Sequence, residues 1–130
     1  MTNAIHPGDI NRTGVCFLVI DSLSNTNTAV NVGDVCVYDT DGFAPAVALS
    51  EAPFAVMVSP SVAAVAATQH PIRVLIRGNV TVNKVAGTAL QQGKTATTTA
   101  TAGSAGSGGN PIGMVTTGAL AADLAVSILL

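Results

Sequence analysis

Apolar positions along this chain come in short runs that alternate with clusters of Gly, Asn, Asp, Ser and Thr. That punctuation predicts many brief strands joined by tight turns. Val15-Cys16-Phe17-Leu18-Val19-Ile20 is a continuous apolar run of strand length, β-branched and aromatic, which predicts a buried strand with Phe17 in the core. Val35-Cys36-Val37-Tyr38 and the run beginning Phe43-Ala44-Pro45 flank Asp39-Thr40-Asp41-Gly42. An Asp-Gly pair between two β-type runs predicts a hairpin, with Gly42 accepting the positive φ of the turn. Pro45 lacks an amide donor, which puts its strand at a sheet edge. Residues 54–58 read as a further short strand.

Ile72-Arg73-Val74-Leu75-Ile76-Arg77 and Val80-Thr81-Val82-Asn83-Lys84 lie on either side of Gly78-Asn79. Their alternation predicts half-buried antiparallel strands, with Arg73, Leu75 and Arg77 on one face and Ile72, Val74 and Ile76 on the other. Residues 61–68, rich in Ala with Val62 and Val65 three apart, are the one segment with a helical pattern. A helix of that length needs a sheet to pack on. Residues 95–101 are Thr-rich and β-prone, and 112–116 and 124–130 complete the set of strands. Residues 1–14 carry Pro7 and Gly8 without periodicity and read as an extended N-terminal arm. The tract 102–110 has the composition of a flexible Gly/Ser loop. The expectation is a mainly β chain: a small antiparallel β-barrel or β-sandwich over 15–130, with that arm and at most one short helix. No covalent repeat is evident. One phrase does recur, a turn glycine and a charge before an extended segment: Pro7-Gly8-Asp9-Ile10, Val32-Gly33-Asp34-Val35 and Gln92-Gly93-Lys94-Thr95.

Composition changes this picture in one respect. Charged residues make up 9% of the 130, against about 25% in ordinary soluble domains. Thr, Ser and Asn supply most of the polarity, so the surface is weakly hydrated and cheap to desolvate against a partner, whereas a free monomer gains solubility from charge. Contact with other subunits is the expectation. The net charge of −2 and the scattered Arg12, Arg73, Arg77, Lys84 and Lys94 argue against nucleic acid, which demands clustered cations. The uncharged stretch between Glu51 and Arg73 is broken by Pro53, Pro60 and Pro71 and by polar residues, so no membrane span is expected. No signal peptide is evident. Cys16 and Cys36 have neither zinc nor CxxC spacing; buried free thiols are the first expectation and a cross-strand disulfide the alternative.

Candidate chemistry is thin. Gly87-Thr88-Ala89-Leu90-Gln91-Gln92-Gly93-Lys94-Thr95 approaches a phosphate-binding loop, but five residues separate its glycines instead of four, and a β-prone stretch follows where a helix should begin. His6 and His70 each precede a proline and have no other ligand type at metal spacing. Asp39 and Asp41 open like a calcium loop, yet Phe43 and Ser50 stand where oxygen ligands belong. No nucleophile elbow or acid–base pair is recognisable. The expectation is a non-enzymatic protein with no catalytic residues, no cofactor and no metal.

The chain resembles the decoration, or cement, proteins of tailed-bacteriophage heads. The resemblance rests on Pro7-Gly8-Asp9, on Val32-Gly33-Asp34-Val35, and above all on Gly78-Asn79-Val80-Thr81-Val82 followed by Ala86-Gly87-Thr88-Ala89-Leu90-Gln91-Gln92-Gly93-Lys94. Pro111-Ile112-Gly113-Met114-Val115 and Ala125-Val126-Ser127-Ile128-Leu129-Leu130 complete it. The tract 102–110 and the two cysteines depart from the family pattern. The resemblance implies a compact β-barrel or sandwich, a homotrimer, that binds the major capsid protein on the outer surface of the assembled head and braces it against genome pressure. The arm, with His6, Pro7, Asp9 and Arg12 as candidate capsid contacts, is the expected point of attachment. The alternatives are another virion component, such as a head-fibre base or tail subunit, and a non-enzymatic surface binding module or adhesin.

Overall fold

The structure is a computed structural model that describes residues 6–11, 16–46 and 53–130. Its strands are β1 (Ile10–Asn11), β2 (Leu18–Leu23), β3 (Val35–Asp39), β4 (Gly42–Pro45), β5 (Ala55–Met57), β6 (Pro71–Arg77), β7 (Asn79–Asn83), β8 (Thr95–Thr98), β9 (Ala105–Gly106), β10 (Pro111–Thr117) and β11 (Ala125–Leu129). They form two antiparallel sheets, ordered β2-β6-β5-β3-β4 and β1-β7-β11-β10-β8-β9. This is the sandwich alternative of the expected mainly β fold: neither sheet closes into a barrel. The five-stranded sheet does curl, because Ser24, just past β2, bridges Phe43 on the far edge strand β4.

The chain passes from one sheet to the other within a single residue. Gly78, at φ +129°, separates β6 from β7, and a Cβ there would lie 2.7 Å from the Cβ of Phe17. β6 and β7 therefore do not pair with each other; β6 lies between β2 and β5, and β7 between β1 and β11.

The two sheets are copies of one module. β2, β6, β5, β3 and β4 occur in the same order and with the same antiparallel partners as β7, β11, β10, β8 and β9. Registers agree residue by residue: Val56↔Leu75 and Met57↔Val74 in the first match Met114↔Leu129 and Val115↔Ile128 in the second. The connections agree as well. Val30 and Val62 exchange backbone hydrogen bonds (3.1 and 2.9 Å), as do Leu90 and Ala119 (2.9 and 2.8 Å). Asn27 and Gly87 both hold positive φ (62° and 91°), and so do Gly33 and Gly93 (85° and 82°). The absence of a repeat in the sequence is thus corrected. Between 24–37 and 84–97 only Thr28/Thr88, Ala29/Ala89 and Gly33/Gly93 are identical. What persists is backbone geometry and burial, which many side chains satisfy.

Equivalent positions build the two cores. Val30, Cys36, Phe43, Met57, Ile72 and Val74 fill the first module. Their counterparts Leu90, Ala96, Ala105, Val115, Val126 and Ile128 belong to a second cluster. That cluster also contains Val35, Val56 and Leu75, the opposite face of the first module's sheet, and so cements the two sheets together. Phe43, large where Ala105 is small, is the cross-strand partner of Tyr38, and the two rings meet edge-on at 5.2 Å.

Several expectations are corrected here. Residues 61–68 form no helix: Val62 bridges Val30 and Ala67 takes a positive φ in a turn, because tertiary pairing outweighs a weak alanine preference. Phe17 is 38% exposed and is not a core residue. The hairpin at 39–42 exists with Asp39 opposite Gly42, but the positive φ falls on Thr40. Gly42 is required for another reason, since a Cβ there would lie 2.4 Å from the carbonyl carbon and oxygen of Ser24. Pro45 does sit on an edge strand. The tract 102–110, which its composition marks as a flexible loop, contains a short strand. It supplies β9, Ala105 is fully buried, and Gly103 is stitched by its amide to Ala46 O and by its carbonyl to Val35 N. Small side chains let the backbone pack closely enough to bond, so little apolar area is needed.

Candidate functional site

The recurring glycine phrase forms the same structure three times. The glycine amide donates to a neighbouring strand, the next residue's amide folds back two residues before the glycine, and the neighbouring strand donates in return. The three sets are Gly8 to Thr81 O, Asp9 to His6 O and Thr81 to Asp9 O; Gly33 to Met57 O, Asp34 to Asn31 O and Met57 to Asp34 O; and Gly93 to Val115 O, Lys94 to Gln91 O and Val115 to Lys94 O. The first copy belongs to the expected arm. Residues 6–11 lie along β7, with Ile10 opposite Val80 and Asn11 opposite Asn79, and form the edge of the six-stranded sheet. The Pro7 ring packs where a Cβ on Gly33 would otherwise stand.

Of the candidate capsid contacts, His6 and Asp9 are exposed and Pro7 is half-buried against the module junction. Arg12 lies outside the described residues. His6, Pro7 and Asp9 are therefore together on one side of the molecule. Asp9 also borders a cleft of about 600 Å³ between this segment and the first sheet, lined by Gly8, Ile10, Phe17, Val19, Val58 and Arg73. Arg73 is bound there to Asp21 at 2.9 Å, with both side chains well exposed, so the pair adds little to stability.

The junction between the modules is polar. Asn83 N donates to Gly33 O (2.9 Å), and Asn83 Nδ2 donates to Val32 O (3.1 Å) and to Asp34 Oδ1 (2.9 Å). Asn31 N donates to the other oxygen, Asp34 Oδ2, at 2.9 Å. Burial pushes the Asp34 carboxyl above the ordinary aspartate range, and these two donors only partly offset it. Cys36 is raised much further by burial and by the Asp34 charge, which makes it inert. Cys16 is exposed, and both thiols are free, so the buried thiol expected at Cys36 is present and that at Cys16 is not. Asp41 is held below its usual range by the Thr26 hydroxyl (2.6 Å) and the Thr26 amide (3.1 Å). Both aspartates of the calcium-like phrase are accounted for by the hairpin.

Lys84 is a residue the sequence reading passed over. It is 3% exposed, and its Nζ donates to the carbonyls of Val85 (2.8 Å), Asp123 (3.1 Å) and Ala121 (3.4 Å). A buried ammonium with three carbonyl acceptors is a structural clasp, here on the turn before β11. Lys84 ends an alternating strand, a position at which a lysine ordinarily faces water, so no local signal marks it.

Among the described residues no group of three or more His, Cys, Asp or Glu converges as a metal site would require. Thr95 after Gly93-Lys94 begins β8, not a helix, so the phosphate-loop likeness has no helix N-terminus behind it. The surface instead offers exposed apolar side chains. They include Leu18 and Leu23 on β2, Tyr38 and Phe54 beside Phe43, and Leu120 and Leu124 around the turn before β11.

No known protein-family model matches the chain, and no curated protein matches it. A solved structure does: the head fiber gp8.5 N base in bacteriophage phi29, with a TM-score of 0.62 at 14% identity, over 87% of this chain and 95% of that one. The two chains share a fold. The likeness spans both modules, so the tandem arrangement itself is common to them.

Proposed function

We propose that this chain is a non-enzymatic structural component of a bacteriophage head, of the head-fibre-base kind, seated on the outer surface of the shell. The fold likeness to a head fiber base over nearly the whole of both chains carries this reading. It favours the head-fibre alternative over the decoration role that the sequence resemblance implies. The sparse charge agrees with either, since a surface so weakly hydrated is cheaply buried against other subunits. The partners are the major capsid protein and further copies of this chain, as a homotrimer. A trimer that touches several shell subunits multiplies modest contacts through effective concentration. Nucleic acid and membrane are not partners in this reading, and no cofactor takes part.

Empty phage shells incubated with the purified chain and imaged by cryo-electron microscopy test it. Ordered density at symmetric outer sites is the expected result, and a folded protein that never docks overturns it. Density that continues outward into an elongated appendage when the chain is part of a longer polypeptide marks a fibre base; density flush with the shell, with a raised shell melting temperature, marks a cement protein. His6 and Asp9, both exposed, are the proposed shell contacts within the described residues. A His6→Ala/Asp9→Ala double variant should keep the wild-type melting temperature and lose docking, whereas full docking removes these residues from the contact.

A further inference from the structure

Within one chain the first module holds the second through its glycine turn. Gly33 O accepts from Asn83 N on the outer edge of β7, and the flanking Val32 O and Asp34 Oδ1 accept from the Asn83 side chain. This contact has two surfaces: an accepting turn before β3, and a donating outer edge on the first strand of the next module. Because the modules are copies, each surface occurs twice, and among the described residues one copy of each is unfilled.

The Gly93 turn is the second copy of the accepting turn. It has a nearly equal positive φ and the same backbone hydrogen bonds as the Gly33 turn. Gly33 is buried, and a Cβ on it would strike Pro7 at 2.3 Å and Asn83 Oδ1 at 3.2 Å; around Gly93 there is nothing within 4 Å, and residues 91–95 are all exposed. The second copy of the donating edge is β2. Ser24 N bonds to His70 O as Lys84 N bonds to Leu124 O, which fixes the parity of both strands. Val19, Asp21 and Leu23 therefore turn their backbone groups away from β6, as Asn79, Thr81 and Asn83 turn theirs away from β11. In β7 the amides of Thr81 and Asn83 are taken by Asp9 and Gly33. In β2 the amides of Asp21 and Leu23 meet no partner among the described residues, and Leu18 and Leu23 are 48% and 42% exposed beside them.

The substitutions between copies are complementary. Where the filled turn has Asp34, the open one has Lys94. Where the filled edge has Thr81, the open one has Asp21. Asp21 lies two residues from Leu23, roughly 7 Å along the strand, within reach of a lysine side chain docked at Leu23. Arg73 holds Asp21 through one carboxylate oxygen, which leaves the second oxygen for Lys94; Asp9 also borders the cleft beside this edge.

We propose that the Gly93 turn of one chain docks on the β2 edge of a second copy, head to tail, repeating between chains the contact that joins the modules within one. It deepens the self-association in the functional reading but stands on the module geometry. Such a contact is heterologous: it closes a ring when its rotation permits and otherwise extends.

The test uses the full chain without shells, so its failure leaves shell docking open. Sedimentation and native mass spectrometry across a concentration series read the assembly of wild type, Asp21→Lys, Lys94→Asp and the double variant. Both residues are exposed, and thermal melts confirm that each variant is folded. Each single reversal should weaken association by tenfold or more, and the double should restore it. A cysteine pair, Leu23→Cys with Gln92→Cys in a Cys16→Ser background, should cross-link between chains and not within one. A wild type monomeric at all concentrations, an assembly indifferent to both single reversals, or a double variant weaker than either single overturns the proposal.

Discussion

Gly33→Ala and Gly93→Ala form a matched pair that isolates what tertiary packing adds to a common backbone strain. Both glycines sit near φ +83°, at 85° and 82°. An L-residue in that region costs about 1–2 kcal/mol, and this part should be the same at both sites. At Gly93 nothing further is met. At Gly33 the new methyl would stand 2.3 Å from the Pro7 Cβ, 3.1 Å from the Pro7 Cα and 3.2 Å from Asn83 Oδ1. Overpacking of that kind adds about 1–3 kcal/mol. Escape by lifting the arm forfeits the Gly8–Thr81 and Thr81–Asp9 hydrogen bonds instead. The expected losses are therefore about 1–2 kcal/mol for Gly93→Ala and about 2–5 kcal/mol for Gly33→Ala. Urea unfolding followed by far-ultraviolet circular dichroism measures both, at one low protein concentration so that self-association does not enter. Adding Pro7→Gly should recover part of the loss in the Gly33→Ala background and none of it in Gly93→Ala, a coupling read as a double-mutant cycle. Equal losses at the two glycines, or a cycle without coupling to Pro7, would refute the reasoning.

Lys84→Met keeps the stem of the side chain and removes the ammonium that three buried carbonyls share. It should lower unfolding stability by about 1–3 kcal/mol, measured by the urea midpoint, and unchanged stability would show that water replaces the clasp. Burial raises the folded pKa of Asp34 above the ordinary aspartate value of 3.8. Its contribution to stability is thus fully present below about 3.8 and is lost as pH rises through the folded value. Urea midpoints of wild type and Asp34→Asn from pH 3 to 7 should show the variant gaining on wild type as pH rises; a constant gap, or one of opposite slope, contradicts the burial argument. With Cys16 exposed and Cys36 buried, a thiol reagent should modify one cysteine in the native protein and both in denaturant. Rapid native modification of both would show that the first module opens readily.

The strands and turns were legible because their signals are local. The alternation in 72–77 and 80–84, the apolar run of β3 and the turn glycines all act over a few residues, and they survive as β6, β7, β3 and the three glycine turns. The candidate surface was legible only in part. Pro7 and Asp9 were marked by the recurring phrase and His6 precedes it, but the β7 edge beside them is some seventy residues away in the chain. Leu23 carries no local mark, and although Gly93 and Lys94 belong to the recurring phrase, nothing in that phrase says which of its copies is open. Their standing as open surfaces depends on filled counterparts in the other module.

The sequence by itself determined most of the strands and the three recurring glycine turns, at Gly8, Gly33 and Gly93, since steric limits on φ and the two-residue period of a strand need no distant partner. It also determined a surface with too little charge to hold much water. Tertiary structure alone decided that Gly78 divides two sheets, that 61–68 bridges Val30 instead of coiling, that Phe17 is exposed and Lys84 enclosed, and above all that one module is present twice. Those outcomes rest on contacts between residues far apart, where a core position asks only for volume and a turn only for a conformation. Phe43 and Ala105, or Asp34 and Lys94, can then occupy the same place in the fold while sharing nothing that the linear chain displays.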